Sequence, residues 1–160
     1  MQIVAPNRIS RRYTQTLVAP PEQVFPLLCP VREADWIDGW DPPLVISASG
    51  VAEPDCVFVT SASPHDAVWY VTRHDLATGC VEMIKITPEV TACRLQIGLR
   101  PTATGCEAVV TYTHTSLGPK GDEFLRGFTE ESYVRGMRLW EARLNHYLAH
   151  GVAMPEAVSS

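Results

Sequence analysis

The pattern of hydrophobic positions divides the chain into a strand-like middle and a helical end. Between residues 121 and 149, apolar side chains recur about every 3.6 residues, which is typical of an amphipathic helix. A long helix with a wide apolar face needs a sheet to lie against, so the pattern predicts an α+β fold. The predicted apolar face carries Tyr133, Met137, Trp140, Leu144, Tyr147 and Leu148.

Short apolar or alternating runs fill the chain between residues 44 and 116. Glycine, proline, aspartate and serine separate these runs, as expected for tight connections between antiparallel strands. One further strand is predicted near the N-terminus, and two short helices follow it, over 21–29 and 31–40. The seven predicted strands cover residues 8–18, 44–49, 56–62, 67–74, 80–87, 91–99 and 106–116.

This order of elements predicts a curved, seven-stranded antiparallel sheet wrapped around a long C-terminal helix. The chain has 160 residues, which is enough for one domain with a substantial core. No internal repeat or linker divides it. We therefore expect a single domain over residues 1–150 and a mobile tail over residues 151–160.

Composition and charge exclude several classes of function. The net charge is −5, and no stripe of Lys and Arg offers contacts to phosphates, so nucleic acid is not a predicted partner. Membrane insertion is not predicted either, because no apolar run approaches the roughly 18 residues that a spanning helix needs. The N-terminus lacks the apolar core of a secretion signal.

Cysteine usage indicates buried thiols in a reducing cytoplasm. The cysteines are odd in number and widely spaced, and no CxxC pair occurs, so neither a zinc site nor a redox motif is predicted. We predict no metal and no cofactor. The five positions are Cys29, Cys56, Cys80, Cys93 and Cys106.

Three segments and the order of elements resemble the START/Bet v 1-like superfamily, in its polyketide cyclase/dehydrase-like branch. The segments are VAPPEQVF at 18–25, WIDGW at 36–40 and WEARL at 140–144. The resemblance covers about residues 9–148. It implies the helix-grip fold, with a cavity between sheet and helix that takes a small molecule, but it specifies no reaction.

Alternation on the late strands predicts which side chains face the helix. Tyr112 and His114 share a face with apolar neighbours, and apolar walls with a few polar groups are typical of small-molecule sites. The alternative is that Tyr112 packs in the core and His114 lies at an exposed strand end. The predicted pocket residues on strands are Phe58, Tyr70, Leu95, Ile97, Val110, Tyr112 and His114, although both faces are apolar on the strands of Phe58 and Tyr70.

The helical segments supply the other predicted pocket residues. Thr129 and Gly136 are small and would leave volume beneath the long helix, although Gly136 would alternatively allow close contact between helix and sheet. The resemblance places the second short helix at the cavity mouth, where Trp36 and Trp40 would gate the pocket or, alternatively, cover the edge of the core. The larger predicted pocket residues on the long helix are Tyr133, Met137 and Trp140.

His114 and Tyr112 are the candidate catalytic residues. A histidine titrates near neutral pH and a tyrosine can donate a hydrogen bond, so the pair would support general acid–base chemistry such as ring closure or dehydration. Glu33, Asp35 or Asp38 near the mouth would assist. No nucleophile elbow, phosphate-binding loop, dinucleotide-binding motif or HExxH sequence is present.

The sequence leaves three functions open. The leading hypothesis is a cytoplasmic protein that binds a hydrophobic small molecule, such as a lipid, an aromatic compound or a polyketide-like compound. The second is a cyclase or dehydratase that works in the same cavity. The third is a protein-interaction module, with Phe124, Phe128 and the mouth tryptophans Trp36 and Trp40 at the interface. A homodimer is also a possible assembly.

Overall fold

The computed structural model describes residues 1–156, and its seven strands form one antiparallel sheet. The strands are β1 (Arg8–Leu17), β2 (Leu44–Ile46), β3 (Val57–Thr60), β4 (Ala67–Asp75), β5 (Cys80–Thr87), β6 (Thr91–Thr102) and β7 (Gly105–Ser116). Their order across the sheet is β1-β7-β6-β5-β4-β3-β2, so β1 lies beside β7 while the other six follow chain order. The predicted fold class is confirmed.

The longest hairpin extends beyond its predicted ends. Strands β6 and β7 pair as far as Thr102 and Gly105, whereas the prediction ended β6 at Leu99. Arg100 and Glu107 are directly opposite one another, and Nε of Arg100 donates to Oε2 of Glu107 over 2.7 Å. Opposite charges facing each other across two strands stabilise the pairing. The predicted turn over 100–105 is therefore mostly strand.

The helical segment after β1 is less regular than predicted. The region over 21–29 divides into helix α1 (Pro21–Val24) and a 3-10 turn, Phe25–Leu27. Pro26 lacks the backbone N–H that a continuing α-helix requires. The predicted helix over 31–40 is a single 3-10 turn, Arg32–Asp35, followed by loop.

The predicted continuous helix over 121–149 is two helices, α2 (Pro119–Gly127) and α3 (Glu130–His150). Thr129 adopts an extended backbone, and its hydroxyl accepts a hydrogen bond from the Ser132 amide over 3.1 Å. This is the contact of a helix N-cap, which starts a new helix at the following residue. Helix α3 ends at Gly151, whose positive φ of 73° suits glycine.

Polar side chains of α3 cover the exposed edge of the sheet. On β1, the Thr16 amide donates to the Glu141 carboxylate over 2.5 Å. Asn145 accepts from the Val18 amide over 3.0 Å and donates to the Thr16 carbonyl over 2.9 Å. An edge strand otherwise presents unpaired backbone groups. These contacts therefore fix α3 along β1 as well as protecting the edge.

The apolar face of α3 packs into the concave side of the sheet as predicted. Tyr133, Met137 and Leu144 are buried, and Trp140, Tyr147 and Leu148 pack against the same core. Buried Gln15 also faces this helix, where its amide donates to the Met137 carbonyl over 3.2 Å. The helix and the inner face of the sheet therefore enclose the interior of the molecule.

The predicted tail begins where α3 ends. Residues 151–156 contain no regular secondary structure, and residues 157–160 lie outside the described residues. In the part of the chain that the structure describes, no helix combines the length and hydropathy needed to cross a bilayer.

Candidate functional site

A cavity of about 180 Å³ lies between the concave face of the sheet, the loop after β1 and helix α3. The sheet supplies six wall residues, the segment over 28–40 supplies four, and α3 supplies one. These residues are Phe58, Trp69, Met83, Leu95, Ile97 and Tyr112 from the sheet, Leu28, Glu33, Ile37 and Trp40 from the loop side, and Trp140 from α3.

The volume of this cavity sets the size of what it can hold. A cavity of about 150 Å³ is large enough for one benzene molecule. Sites for drug-sized ligands usually span about 300–1,000 Å³. The cavity in this protein therefore matches one aromatic ring with a short substituent.

One of the three tryptophans in the cavity wall has an indole N–H without a hydrogen-bond partner among the described residues. Nε1 of Trp140 is buried and unpaired among the described residues. The other two wall tryptophans are satisfied, since Trp69 donates to the Thr60 hydroxyl over 2.9 Å and Trp40 donates to the Pro30 carbonyl over 2.7 Å. A buried unpaired donor is destabilising by about 1–3 kcal/mol. Trp140 is therefore the one wall tryptophan whose hydrogen-bonding capacity the described residues leave unused.

Glu33 brings the only carboxyl group into the wall. The residue as a whole has intermediate exposure, but its carboxyl lies among apolar side chains, and this burial raises its pKa to about 8. At neutral pH the group is mostly protonated, so it can both donate and accept a hydrogen bond. Burial also raises the pKa of Tyr112 far above its usual value, with a smaller contribution from Glu33, so the phenol keeps its proton.

His114 does not line the central cavity. It is 4% exposed and packs against Phe124 and Phe128, with ring centroids 4.9 Å and 4.8 Å away. Burial first, and then the charge of Lys85, lowers its pKa to about 4, so the imidazole is neutral at physiological pH. The alternation correctly predicted that it faces inward, but the geometry does not support a catalytic pair of His114 and Tyr112 in the central cavity.

A second, more open groove of about 220 Å³ lies beneath the start of α3. Tyr112 lines both this groove and the central cavity. Gly136 borders the groove with open space where a side chain would lie, so it does not serve close packing of helix and sheet. The groove is lined by Tyr112, His114, Phe128, Ser132, Tyr133, Gly136 and Met137.

The fourteen predicted ligand-binding residues are therefore divided among several places. Six line the central cavity: Trp40, Phe58, Leu95, Ile97, Tyr112 and Trp140. Four others, His114, Tyr133, Gly136 and Met137, line the groove. Val110 is fully buried in the core. Trp36 is 1% exposed, donates to the Leu27 carbonyl and stacks on Trp140, so it supports the cavity wall from behind.

The structure places Tyr70 and Thr129 outside both the central cavity and the groove, contrary to the predicted pocket lining. Phe58 pairs directly with Trp69, so Trp69 faces inward and Tyr70 faces outward. Tyr70 is 43% exposed, and its hydroxyl donates to Asp55 over 2.7 Å. Because both faces of β4 are apolar, alternation did not distinguish them. Thr129 is exposed and is the N-cap of α3.

Four wall residues were not predicted at all, namely Leu28, Ile37, Trp69 and Met83. Leu28 and Ile37 lie in irregular segments, which have no periodicity that would assign a face. Among the described residues, no group of three or more His, Cys, Asp or Glu side chains is arranged to hold a metal ion.

Comparison with solved structures shows the same fold in distant proteins. A truncated norcoclaurine synthase from Thalictrum flavum superposes with a TM-score of 0.68 at 11% identity, covering 94% of this chain and 99% of that one. A protein of unknown function from Staphylococcus aureus gives 0.67 at 10% identity, covering 91% and 96%. An uncharacterised protein from Rhizobium leguminosarum gives 0.63 at 14% identity, covering 92% and 99%.

No protein-family model matches the sequence, and no curated protein is detectably similar to it. At such low identities the structural likeness shows the fold alone. The fold is the predicted helix-grip fold, a seven-stranded antiparallel sheet around a long C-terminal helix.

Proposed function

We propose that this protein binds a small apolar molecule, about the size of one aromatic ring with a polar substituent, in its central cavity. The observation that carries the proposal is a largely apolar cavity whose wall includes Trp140, the one wall tryptophan with an unpaired indole N–H among the described residues. A ligand with one hydrogen-bond acceptor would satisfy this donor, while its ring would bury apolar surface against the wall. Both effects favour binding.

The same geometry narrows the ligand classes left open by the sequence. A multi-ring polyketide or a long acyl chain needs more volume than about 180 Å³, so we favour single-ring compounds. Glu33 adds a second polar contact, and its protonated form suits a neutral hydroxyl or carbonyl group. Phenols and benzyl alcohols have these features.

A cavity-filling variant tests the proposal. Leu95→Phe places a larger side chain in the cavity, whereas Leu139→Phe makes the same change on the exposed side of α3. Binding of benzyl alcohol is measured by calorimetry and by tryptophan fluorescence, since Trp40, Trp69 and Trp140 line the cavity. We expect binding to the wild type and to Leu139→Phe, and at least about a tenfold loss in Leu95→Phe.

Thermal unfolding of both variants shows whether they fold. Filling existing space changes stability little, whereas overpacking destabilises by about 1–3 kcal/mol. Equal binding by folded Leu95→Phe and the wild type would refute the cavity as the binding site. Absence of binding to the wild type across a panel of phenols, benzyl alcohols and benzaldehydes would refute the proposed function.

A second candidate function is general acid–base catalysis in the same cavity. The observation that favours it is that Glu33 and Tyr112 both line the cavity, and that the pKa of Glu33 is about 8. A group that titrates near the working pH is suited to move protons. With an identified substrate, Glu33→Gln should reduce kcat at least about 100-fold with little change in KM. His114→Leu should retain turnover, and the reverse pattern would contradict this assignment.

Two expectations from the sequence accompany this proposal. A reducing cytoplasm suits the five free thiols, of which all but Cys80 are buried. The homodimer stays a prediction, which light scattering of the purified protein tests directly. A monomer at working concentration would contradict the dimer without affecting the cavity.

A further inference from the structure

Lys85 lies on the concave face of the sheet, although the sequence pattern did not decide its direction. On β5 it lies two positions after Met83 and four after Val81, so it shares the face of these two buried, inward-facing residues. Its direct neighbours across the sheet are Trp69 on β4 and Cys93 on β6. Trp69 and Met83 both line the central cavity. The lysine therefore lies next to the cavity wall.

The ammonium group of Lys85 has no carboxylate partner among the described residues. Its Nζ lies over the Trp69 ring, 5.0 Å from the ring centroid. Burial lowers its pKa below the ordinary value, because removing the group from water penalises the charged form. A larger share of the amine is consequently neutral, which is the nucleophilic form.

The other nucleophile in this row is unreactive. Burial raises the pKa of the Cys93 thiol to about 11, so thiolate is nearly absent at neutral pH. The second lysine of the chain, Lys120, is on the surface, with its Nζ 3.3 Å from Glu89. The two lysines thus occupy opposite environments, one beside an apolar cavity without a counter-ion and the other in an exposed ion pair.

We propose that Lys85 forms an imine with a small aromatic aldehyde bound in the central cavity. The inference rests on the proposed function, since the cavity must first hold the ring. The lone pair of Nζ attacks the carbonyl carbon, and the resulting carbinolamine loses one water molecule to give the C=N bond. No oxidant or reductant takes part in this step. The flexible four-carbon stem allows Nζ to reach a carbonyl beside Trp69.

The test traps the imine and compares the two lysines in one molecule. Folded protein is incubated with benzaldehyde and cyanoborohydride at pH 7, and benzylation is located by peptide mass spectrometry. We expect Lys85 to react at least about tenfold faster than Lys120, because binding holds the aldehyde at high effective concentration. The rate at Lys85 should saturate with benzaldehyde, whereas the rate at Lys120 should rise linearly.

Two controls connect the reaction to the cavity. Benzyl alcohol carries the same ring without a carbonyl, and it should compete with labelling at Lys85 but not at Lys120. Leu95→Phe should abolish the saturation, while Leu139→Phe should not. In Lys85→Arg, which keeps a cation near Trp69, benzyl alcohol should still bind and labelling at Lys120 should be unchanged.

The possible failures are distinguishable. If benzyl alcohol binds but Lys85 reacts no faster than Lys120, the imine is refuted and the proposed binding function stands. If Lys85 reacts quickly without saturation and without competition, the amine is reactive but the aldehyde is not held in the cavity, and the proposal is again overturned. If neither ligand binds, both proposals fail together.

Discussion

Replacing Glu33 with glutamine is expected to make the protein less sensitive to rising pH. The side chain of glutamine has nearly the same shape but stays neutral at every pH. In the wild type, the carboxyl must either keep its proton in the cavity or ionise among apolar neighbours. The difference in unfolding free energy between the two proteins therefore reports the environment of this one group.

The structure gives the sign and size of this effect. The pKa of Glu33 is about 8 in the folded protein, against an ordinary value of 4.5. Between these values the folded state holds a proton that the unfolded state has released. The contribution of Glu33 to the free energy of unfolding is therefore greatest below pH 4.5 and decreases up to about pH 8. The slope is about 1.4 kcal/mol per pH unit, which accumulates to about 3 kcal/mol by pH 7.

This figure is an upper limit, because Glu33 is not fully buried and water that enters the cavity reduces the penalty. Urea unfolding followed by tryptophan fluorescence at pH 4, 5.5, 7 and 8 measures the difference. Relative to the wild type, Glu33→Gln should gain stability as the pH rises. Titration of other groups, including His114, is common to both proteins and cancels.

The matched control is Glu131→Gln, since the Glu131 side chain is 90% exposed on α3. It makes the same chemical change outside the cavity, and we expect no comparable trend with pH. A difference between Glu33→Gln and the wild type that stays constant from pH 4 to pH 8 would refute the reasoning. It would show that the Glu33 carboxyl is hydrated in the folded protein.

Three further predictions concern stability. Gly121→Ala should lower the free energy of unfolding by about 1–3 kcal/mol, because the added Cβ would overlap backbone of the neighbouring turn. Gly136→Ala in α3 meets open space and should raise the free energy of unfolding by about 0.5–1 kcal/mol. Denaturant titration measures both variants, and a loss of stability in Gly136→Ala would contradict the expected contrast. Asn145→Ala should lower the free energy of unfolding by about 1–2 kcal/mol and speed hydrogen exchange of the Val18 amide. Unchanged protection of this amide would show that α3 does not hold the edge of the sheet. Thr129→Ala should cost about 1 kcal/mol by removing the N-cap, while Thr129→Ser should not, as thermal unfolding would show.

Periodicity in the sequence was sufficient to predict the buried face of strands that have one polar face, and the buried face of α3. On β6 and β7, polar residues alternate with apolar ones, so the pattern indicates which face is buried. The inward direction of Leu95, Ile97 and Tyr112 was predicted correctly. The recurrence of Met137 and Leu144 likewise identified the buried face of α3. These assignments depend on local spacing, which the sequence contains directly.

Other features depended on which strands pair and what surrounds each group. Both faces of β4 are apolar, so only its pairing with β3 and β5 turns Trp69 into the cavity and Tyr70 out of it. That pairing also brings Lys85 beside Trp69. The carboxyl of Glu33 was foreseen only as a helper at the cavity mouth, since its desolvation comes from side chains distant in sequence.

The sequence by itself determined the order of the elements, the curved sheet around a helix and the polar or apolar character of most faces. These follow from periodicity and turn chemistry, which act between neighbours along the chain. Tertiary structure alone decided the cavity volume, the unpaired donor of Trp140, the raised pKa of Glu33 and the lowered pKa of Lys85. Each of these depends on atoms far apart in the sequence, because solvent exclusion is a property of the packed interior rather than of any one segment.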